Sequence, residues 1–297
     1  MDKKEKPTVI SQKLTSNLAK FTAIVIAILI SIVIAISFIK NHRTIIKSNS
    51  SNQNFKLKTV TTFDGIKLKI NDDAFSHDSI ISEYKKSEVA KYLKNNVKRG
   101  DTIVDVSNDI GIYILFMAKL IEQSGRIYVY NPCFKYVNSI NASSIANGFE
   151  NRILTQCLGI SDHTYDGLLI YKNNFPSMSG RLEHKDTHIP TGYSAVSVKI
   201  SSIDEQLPNL QNIDFLIIGA NDNASKVIDG AIRLIKKSNK IKILLSFNNK
   251  TLCRHSSIGR LMLIDFKLFL IQKDGSTKNI TINEFSKIKN GHVVLER

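Results

Sequence analysis

Nine residues, DVSNDIGIY (105–113), set two carboxylates, a serine, an asparagine and one glycine between an apolar run that reads as a buried strand and one that reads as a helix. A strand-to-helix turn offers backbone N–H groups and a helix N-terminus, the usual cradle for a phosphate or a nucleotide-like cofactor. Such cradles use glycine where positive φ or a close backbone approach is needed; here Gly111 is present, and Ser107 stands where an earlier glycine would be sought. A second cluster, HKDTH, sets His184 and His188 four apart around Asp186, a spacing that binds zinc when it lies on a helix. Pro176, Gly180, Pro190 and Gly192 predict a loop over 173–194 instead, with no third ligand nearby, so no metal is assigned. If that loop covers a cleft, His184 or His188 is the candidate general base for an acceptor hydroxyl. Cys133, Cys157 and Cys253 are too widely spaced for a C-x-x-C site or a disulfide framework.

These residues need elements to hold them. TIVDV (102–106), RIYVYN (126–131), RILTQC (152–157), IDFLIIG (213–219) and IKILLSF (241–247) read as strands buried on both faces. Helical patterns at 111–123, 134–147 and 223–237 alternate with them. Strands and helices alternating over short connections predict a doubly wound α/β fold with a mostly parallel sheet, whose ligands bind outside the carboxyl ends of the strands. FDGIKLKI (63–70) predicts a turn and strand, and SEYKKSEVAKYLKNNVKRG a helix ending by Gly100. Asp274-Gly275 predicts the turn of a closing antiparallel pair.

The chain of 297 residues is 42% hydrophobic, enough for one substantial core, and carries a formal charge of +15. The basic residues are mostly lysines dispersed among Ile and Asn, and no RRM, KH or zinc-finger pattern accompanies them, so no nucleic-acid partner is expected. A basic surface module for lipid or nucleic acid is the third-ranked class. Residues 21–39, FTAIVIAILISIVIAISFI, contain no charge; a helix of that length covers about 28 Å, close to a roughly 30 Å hydrocarbon core. The exit SFIKNHR lacks a small-x-small cleavage site, which predicts an uncleaved single-pass anchor in membrane lipid. The expected organisation is an N-terminal tail at 1–20, a transmembrane helix at 21–39, a polar linker at 40–60 and a folded domain at 61–297. Five Lys or Arg residues flank the apolar stretch on each side within twenty residues, so charge leaves its orientation open.

Residues 100–162, with GDTIVDVSNDIGIYI, RIYVYNP and the later GISD, together with IDFLIIGANDNASKVIDGA (213–231), resemble the FkbM-type S-adenosylmethionine-dependent methyltransferases over roughly residues 62–290. The resemblance implies a class I methyltransferase (Rossmann-like) fold with a methyl-donor pocket at the strand ends. Carried over, Asp105, Gly111, Tyr113 and Asp162 keep the family's residue types. Ser107 replaces a glycine, Asp109 an asparagine, and Asn131 the ribose-binding glutamate. Ile217, Gly219, Asn221, Asp222 and Ala224 replace Lys, Asp, Glu, Gly and Glu. The implied cofactor contacts are thus Asp105, Ser107, Asp109, Gly111, Tyr113, Asn131, Asp162 and Gly219, with S-adenosylmethionine the candidate cofactor. Losing the glutamate forfeits about one charge-assisted hydrogen bond, roughly 1.5–3 kcal/mol; a left-handed Ser107 would add roughly 1–2 kcal/mol. The expectation is a membrane-anchored methyltransferase-like domain with a degenerate pocket and a binding or scaffolding role. Its rival is an active O-methyltransferase acting on a sugar or lipid-linked glycan hydroxyl. Because the methyl donor is made in the cytosol, an active enzyme predicts a cytosolic domain, and the cytoplasmic side is the one expected.

Overall fold

Strand β3 (Thr102–Val106) lies at the centre of the molecule because its residues alternate between two cores. Ile103 belongs to one and Val104 and Val106 to the other, as the period of two in a strand requires. The computed structural model describes residues 57–71, 77–107, 110–173, 180–219, 223–247 and 254–297, within a compact unit spanning 54–297. The apolar stretch at 21–39, with the tail before it, lies outside the described residues; among those described, no helix is long and apolar enough to cross a membrane.

In chain order, a hairpin of β1 (Leu57–Thr61) and β2 (Lys67–Asn71) begins inside the stretch expected to be linker. Helices α1 (His77–Lys86) and α2 (Glu88–Asn96) follow, divided at Ser87, whose side chain accepts the Ala90 N–H and caps α2. After β3 come α3 (Ile112–Leu120), β4 (Arg126–Tyr130), α4 (Phe134–Asn147) and β5 (Ile153–Gln156). Next are β6 (Gly159–Ile160), β7 (Tyr165–Lys172), β8 (Arg181–His184), β9 (Tyr193–Ser201) and α5 (Ile203–Gln206). The chain continues through β10 (Phe215–Ile218), α6 (Ala224–Asp229), α7 (Ile232–Lys237), β11 (Lys242–Phe247) and α8 (Arg254–Met262). It ends with β12 (Lys267–Ile271), β13 (Thr277–Asn279), α9 (Ile282–Lys287) and β14 (Gly291–Glu296).

The main sheet has eight strands in the order β13-β12-β14-β11-β10-β3-β4-β5. β5, β4, β3, β10 and β11 run parallel, while β14 is reversed between β11 and β12. Helices α2, α3 and α4 cover one face and α6 to α9 the other, each with its own apolar core. The alternation predicted from sequence is therefore realised, with an antiparallel edge turned at Gly275 (φ 84°).

Two expectations need correction. The helix expected over 223–237 is two helices: Asp204 of α5 accepts the N–H groups of Arg233 and Leu234, capping α7 from outside, while Gly230 lies hard against the chain at Ser161. The loop expected over 173–194 contains strand β8, which pairs antiparallel with β7. It belongs to a second, four-stranded sheet, β6-β9-β7-β8, that has no counterpart in the sequence expectation.

Candidate functional site

The order of the parallel strands reverses at β3, where the chain leaves toward β4 on one side and returns at β10 on the other. That is the switch point at which a crevice opens beyond the carboxyl ends of the strands. Register places three of the sequence-selected residues in one row there. Ile217, Asp105 and Val129 are direct partners across β10, β3 and β4; Gly219, Ser107 and Asn131 each stand two residues further on.

A cavity of about 270 Å³ opens at this edge, lined by Val106 and Ser107 after β3, Tyr130 and Pro132 after β4, and Ile160 of β6. Gly180 to Glu183 at the start of β8, with Asn223 and Lys226 at α6, complete its described lining. Sequence reasoning singles out neither Arg181, Glu183 nor Lys226, because the pattern around the first two reads as loop. Arg181 Nε and Glu183 Oε1 form an ion pair at 3.2 Å. Tyr130 is 1% exposed, and its hydroxyl has no hydrogen-bond partner among the described residues. Burial holds that hydroxyl neutral by raising its pKa well above the ordinary tyrosine value, with the neighbouring Tyr128 adding to the effect.

Ser107 and Asp105 engage each other, while Asn131 bonds the backbone that follows it. Asp105 is buried, and its Oδ1 accepts both the Ser107 backbone N–H (2.9 Å) and the Ser107 hydroxyl (2.6 Å). Ser107 does not have positive φ: among the described non-glycine residues only Glu122 and Asp265 do. The left-handed cost anticipated for Ser107 is therefore absent. Asn131 is completely buried, at 0% exposure. Its Oδ1 accepts the Cys133 N–H at 2.9 Å, closing a turn over its own side chain, and its Nδ2 is buried without a partner among the described residues.

The remaining selected residues are dispersed. Gly111 (φ 103°) starts α3, and a Cβ there would come within 2.8 Å of Ile140 Cγ1, so this glycine permits close contact between α3 and α4. Tyr113 donates to Ser87 Oγ (2.8 Å) and packs its ring edgewise against Tyr84, on the α1–α2 side. Asp162 follows β6 and accepts from the Ser161 hydroxyl at 3.0 Å, with His163 Nδ1 at 2.9 Å. Slight burial pushes its pKa up, but the hydrogen bonds from Ser161, its own backbone and His163 outweigh this and hold it below the ordinary aspartate value. His184 is exposed and stacks on Tyr165 (centroids 4.4 Å), and His188 is exposed in the turn before β9; neither lines the cavity. Asp109, Asn221 and Asp222 lie outside the described residues. Among the described residues no three His, Cys, Asp or Glu side chains form a metal-holding group.

Five parallel strands, numbered first to fifth along the chain and ordered 3-2-1-4-5, with a reversed strand between the fifth and a sixth, define a class I methyltransferase-like α/β fold. No protein-family model matches the chain. No curated protein matches it either. Solved structures similar to it include a SAM-dependent O-methyltransferase of Thermotoga maritima, at 10% identity, 81% and 77% coverage of the two chains and a TM-score of 0.42. Aeropyrum pernix fibrillarin with natively bound S-adenosyl-L-methionine shares 11% identity over 83% and 85% of the chains, with a TM-score of 0.42. A SAM-dependent methyltransferase of Aquifex aeolicus shares 13% over 75% and 98%, with a TM-score of 0.40. At such scores the likeness carries no weight for function, and the fold assignment rests on strand order.

Proposed function

We propose that the chain is a single-pass membrane protein whose folded domain is a divergent FkbM-type methyltransferase fold with a degenerate methyl-donor site, serving in binding or scaffolding. The observation that carries this is Asn131: the residue that the resemblance assigns to the ribose is fully buried, and its Oδ1 already accepts the Cys133 N–H. The carboxamide then offers a ribose diol its N–H₂ donor and the second lone pair of Oδ1, where a carboxylate would offer two charged acceptor oxygens. Beside it, Asp105 Oδ1 is occupied by Ser107, and Gly219 brings no side chain. The residues present therefore weaken the fit to S-adenosylmethionine without abolishing it, and no methyl-transfer step is assigned. With Ser107 unstrained, the deficit reduces to one charge-assisted bond, roughly 1.5–3 kcal/mol or about 10- to 150-fold in affinity.

Residues 21–39 are the proposed membrane partner, and the domain is taken to face the cytoplasm because S-adenosylmethionine is a cytosolic ligand, the flanking charges leaving orientation open. Titration calorimetry of the full-length chain in detergent with S-adenosylmethionine tests the pocket. We expect a dissociation constant weaker than about 10 μM, the value left when a micromolar site loses one such bond. Tighter binding overturns the proposal and favours an O-methyltransferase acting on a sugar or lipid-linked glycan hydroxyl.

A further inference from the structure

We propose that the tip of the β1–β2 hairpin is a membrane-contact site, in which Phe63 and the lysines around it dock on the anionic leaflet of the bilayer holding residues 21–39. The proposal rests on the membrane-anchor reading given above. Phe63 is 60% exposed, although an aromatic ring is among the groups that gain most from leaving water. The turn is built to present it. Thr62 N–H donates to Ile66 O (2.9 Å), Gly65 N–H to Thr62 O (3.0 Å), and Gly65 takes the left-handed conformation (φ 85°) that a tight turn demands.

Charge at the tip is sorted in the direction an anionic surface requires. The one carboxylate of the hairpin, Asp64, turns inward, accepting from the Thr62 hydroxyl and from Tyr84 Oη (3.2 Å). Tyr84 supports the Phe63 ring (centroids 5.6 Å) and leads directly into the exposed Lys85 and Lys86. Lys119 Nζ reaches the same turn, donating to Asp64 O at 2.7 Å, and Lys67 is exposed just past it. Glu83, on the same turn of α1 as Lys85 and Lys86, is the exposed acid that offsets part of this charge.

On the membrane-anchor reading, the sequence between the apolar stretch and this tip is short and basic. Residues 40–70 contain seven Lys or Arg (Lys40, Arg43, Lys47, Lys56, Lys58, Lys67 and Lys69) against the single acid Asp64. Residues 40–56, between the apolar stretch and β1, span at most ~60 Å fully extended, so an anchor at 21–39 would tether the hairpin and raise its effective concentration at the bilayer. Each lysine near an anionic leaflet strengthens attachment about fivefold at low salt. An aromatic ring beside lysines is the composition that settles at a membrane–water interface.

The chain contains no tryptophan, so Phe63→Trp creates a single fluorescent reporter at the tip. Full-length F63W is reconstituted into vesicles of phosphatidylcholine with or without phosphatidylglycerol, using brominated acyl chains as quenchers. We expect a blue-shifted emission quenched roughly twofold or more in the anionic vesicles only, relieved by salt and by adding Lys67→Glu, Lys85→Glu and Lys86→Glu. Leu263→Trp, at a position 84% exposed and flanked by Leu261 and Phe266 of the core on the other sheet face, should remain unquenched. Absence of quenching in F63W, or equal quenching in neutral vesicles, overturns the proposal. Alkaline carbonate washing separates the two readings. Protein that washes off has no anchor and sinks both, whereas F63W that is retained with unquenched emission keeps the anchor and loses the docking tip.

Discussion

Replacing Asn131 with Asp tests whether the position at the end of β4 is sealed, because the two side chains differ only by exchanging an NH₂ for an oxygen. In the folded protein the carboxylate would sit at 0% exposure. A single side-chain hydrogen bond, from the Cys133 N–H, would serve it. Desolvation at such a site raises a carboxyl pKa by several units. The unfolded chain, with a pKa near 3.9, then releases its proton first, so stability falls as pH rises above about 4 until the folded-state group ionises as well. If that group stays protonated at pH 7, the penalty is about 1.36 kcal/mol for each of roughly three pH units, or about 4 kcal/mol. For a domain of this size that corresponds to a melting temperature lower by about 8–16 °C. At pH 4 the protonated variant should lie within about 1 kcal/mol of wild type, since a protonated Asp is close in shape and polarity to Asn. Thermal unfolding followed by far-UV circular dichroism between pH 4 and 7.5 reads both quantities. Equal stability of N131D and wild type at pH 7 would refute the reasoning: the carboxylate would then be solvated and Asn131 open to the cavity.

Gly230→Ala sets helix propensity against packing. Its φ of −73° is helical and alanine would gain about 1 kcal/mol there, but the new Cβ would lie 2.1 Å from the Ser161 backbone oxygen. We expect a net loss of roughly 1–3 kcal/mol by urea denaturation, and a stabilised variant would show that β6 and the α6–α7 junction do not meet. Burial lowers the pKa of His292 against the opposing charge and hydrogen bond of Glu88. Its neutral form therefore contributes stability above about pH 6.5 that is lost as pH falls below it. The melting temperature of His292→Gln should consequently change less between pH 7.5 and 5 than that of wild type, and parallel curves would contradict the assignment.

The parallel core is legible in the sequence because its strands are short unbroken apolar runs with helical patterns between them; β3, β4, β5, β10 and β11 all fall within the segments expected. The second sheet is not. Val196, Val198 and Ile200 in β9 do alternate, but prolines and glycines between 176 and 192 suggest one long loop. The partner of β9 is β7, across that interruption, so the pairing is invisible to a local pattern. Arg181, Glu183 and Lys226 escape notice for the same reason, since they reach the cavity through tertiary contact and no motif marks them. The row of Gly219, Ser107 and Asn131 follows from strand order plus register, and that much a sequence can supply. The direction a side chain takes is another matter. Tyr113 matches the family's motif yet turns toward Ser87, because the first turn of α3 packs against α1 and α2.

How the row satisfies itself bears on what kind of site it is. A ligand site keeps polar groups whose partners arrive with the ligand, at a cost in the empty state. Here Ser107 brings two donors to Asp105 Oδ1, and the Cys133 amide occupies Asn131 Oδ1. Each contact stabilises the empty fold and raises the cost of admitting a cofactor, which would have to displace it. Ser107 and Asn131 thus act in one direction. Ser107 supplies an internal partner to Asp105, and Asn131 places no charge at the end of β4. Tyr130 Oη and Asn131 Nδ2, buried without a partner among the described residues, are the groups that an incoming ligand would still satisfy, while burial across two cores holds the sheet whether or not the crevice is filled.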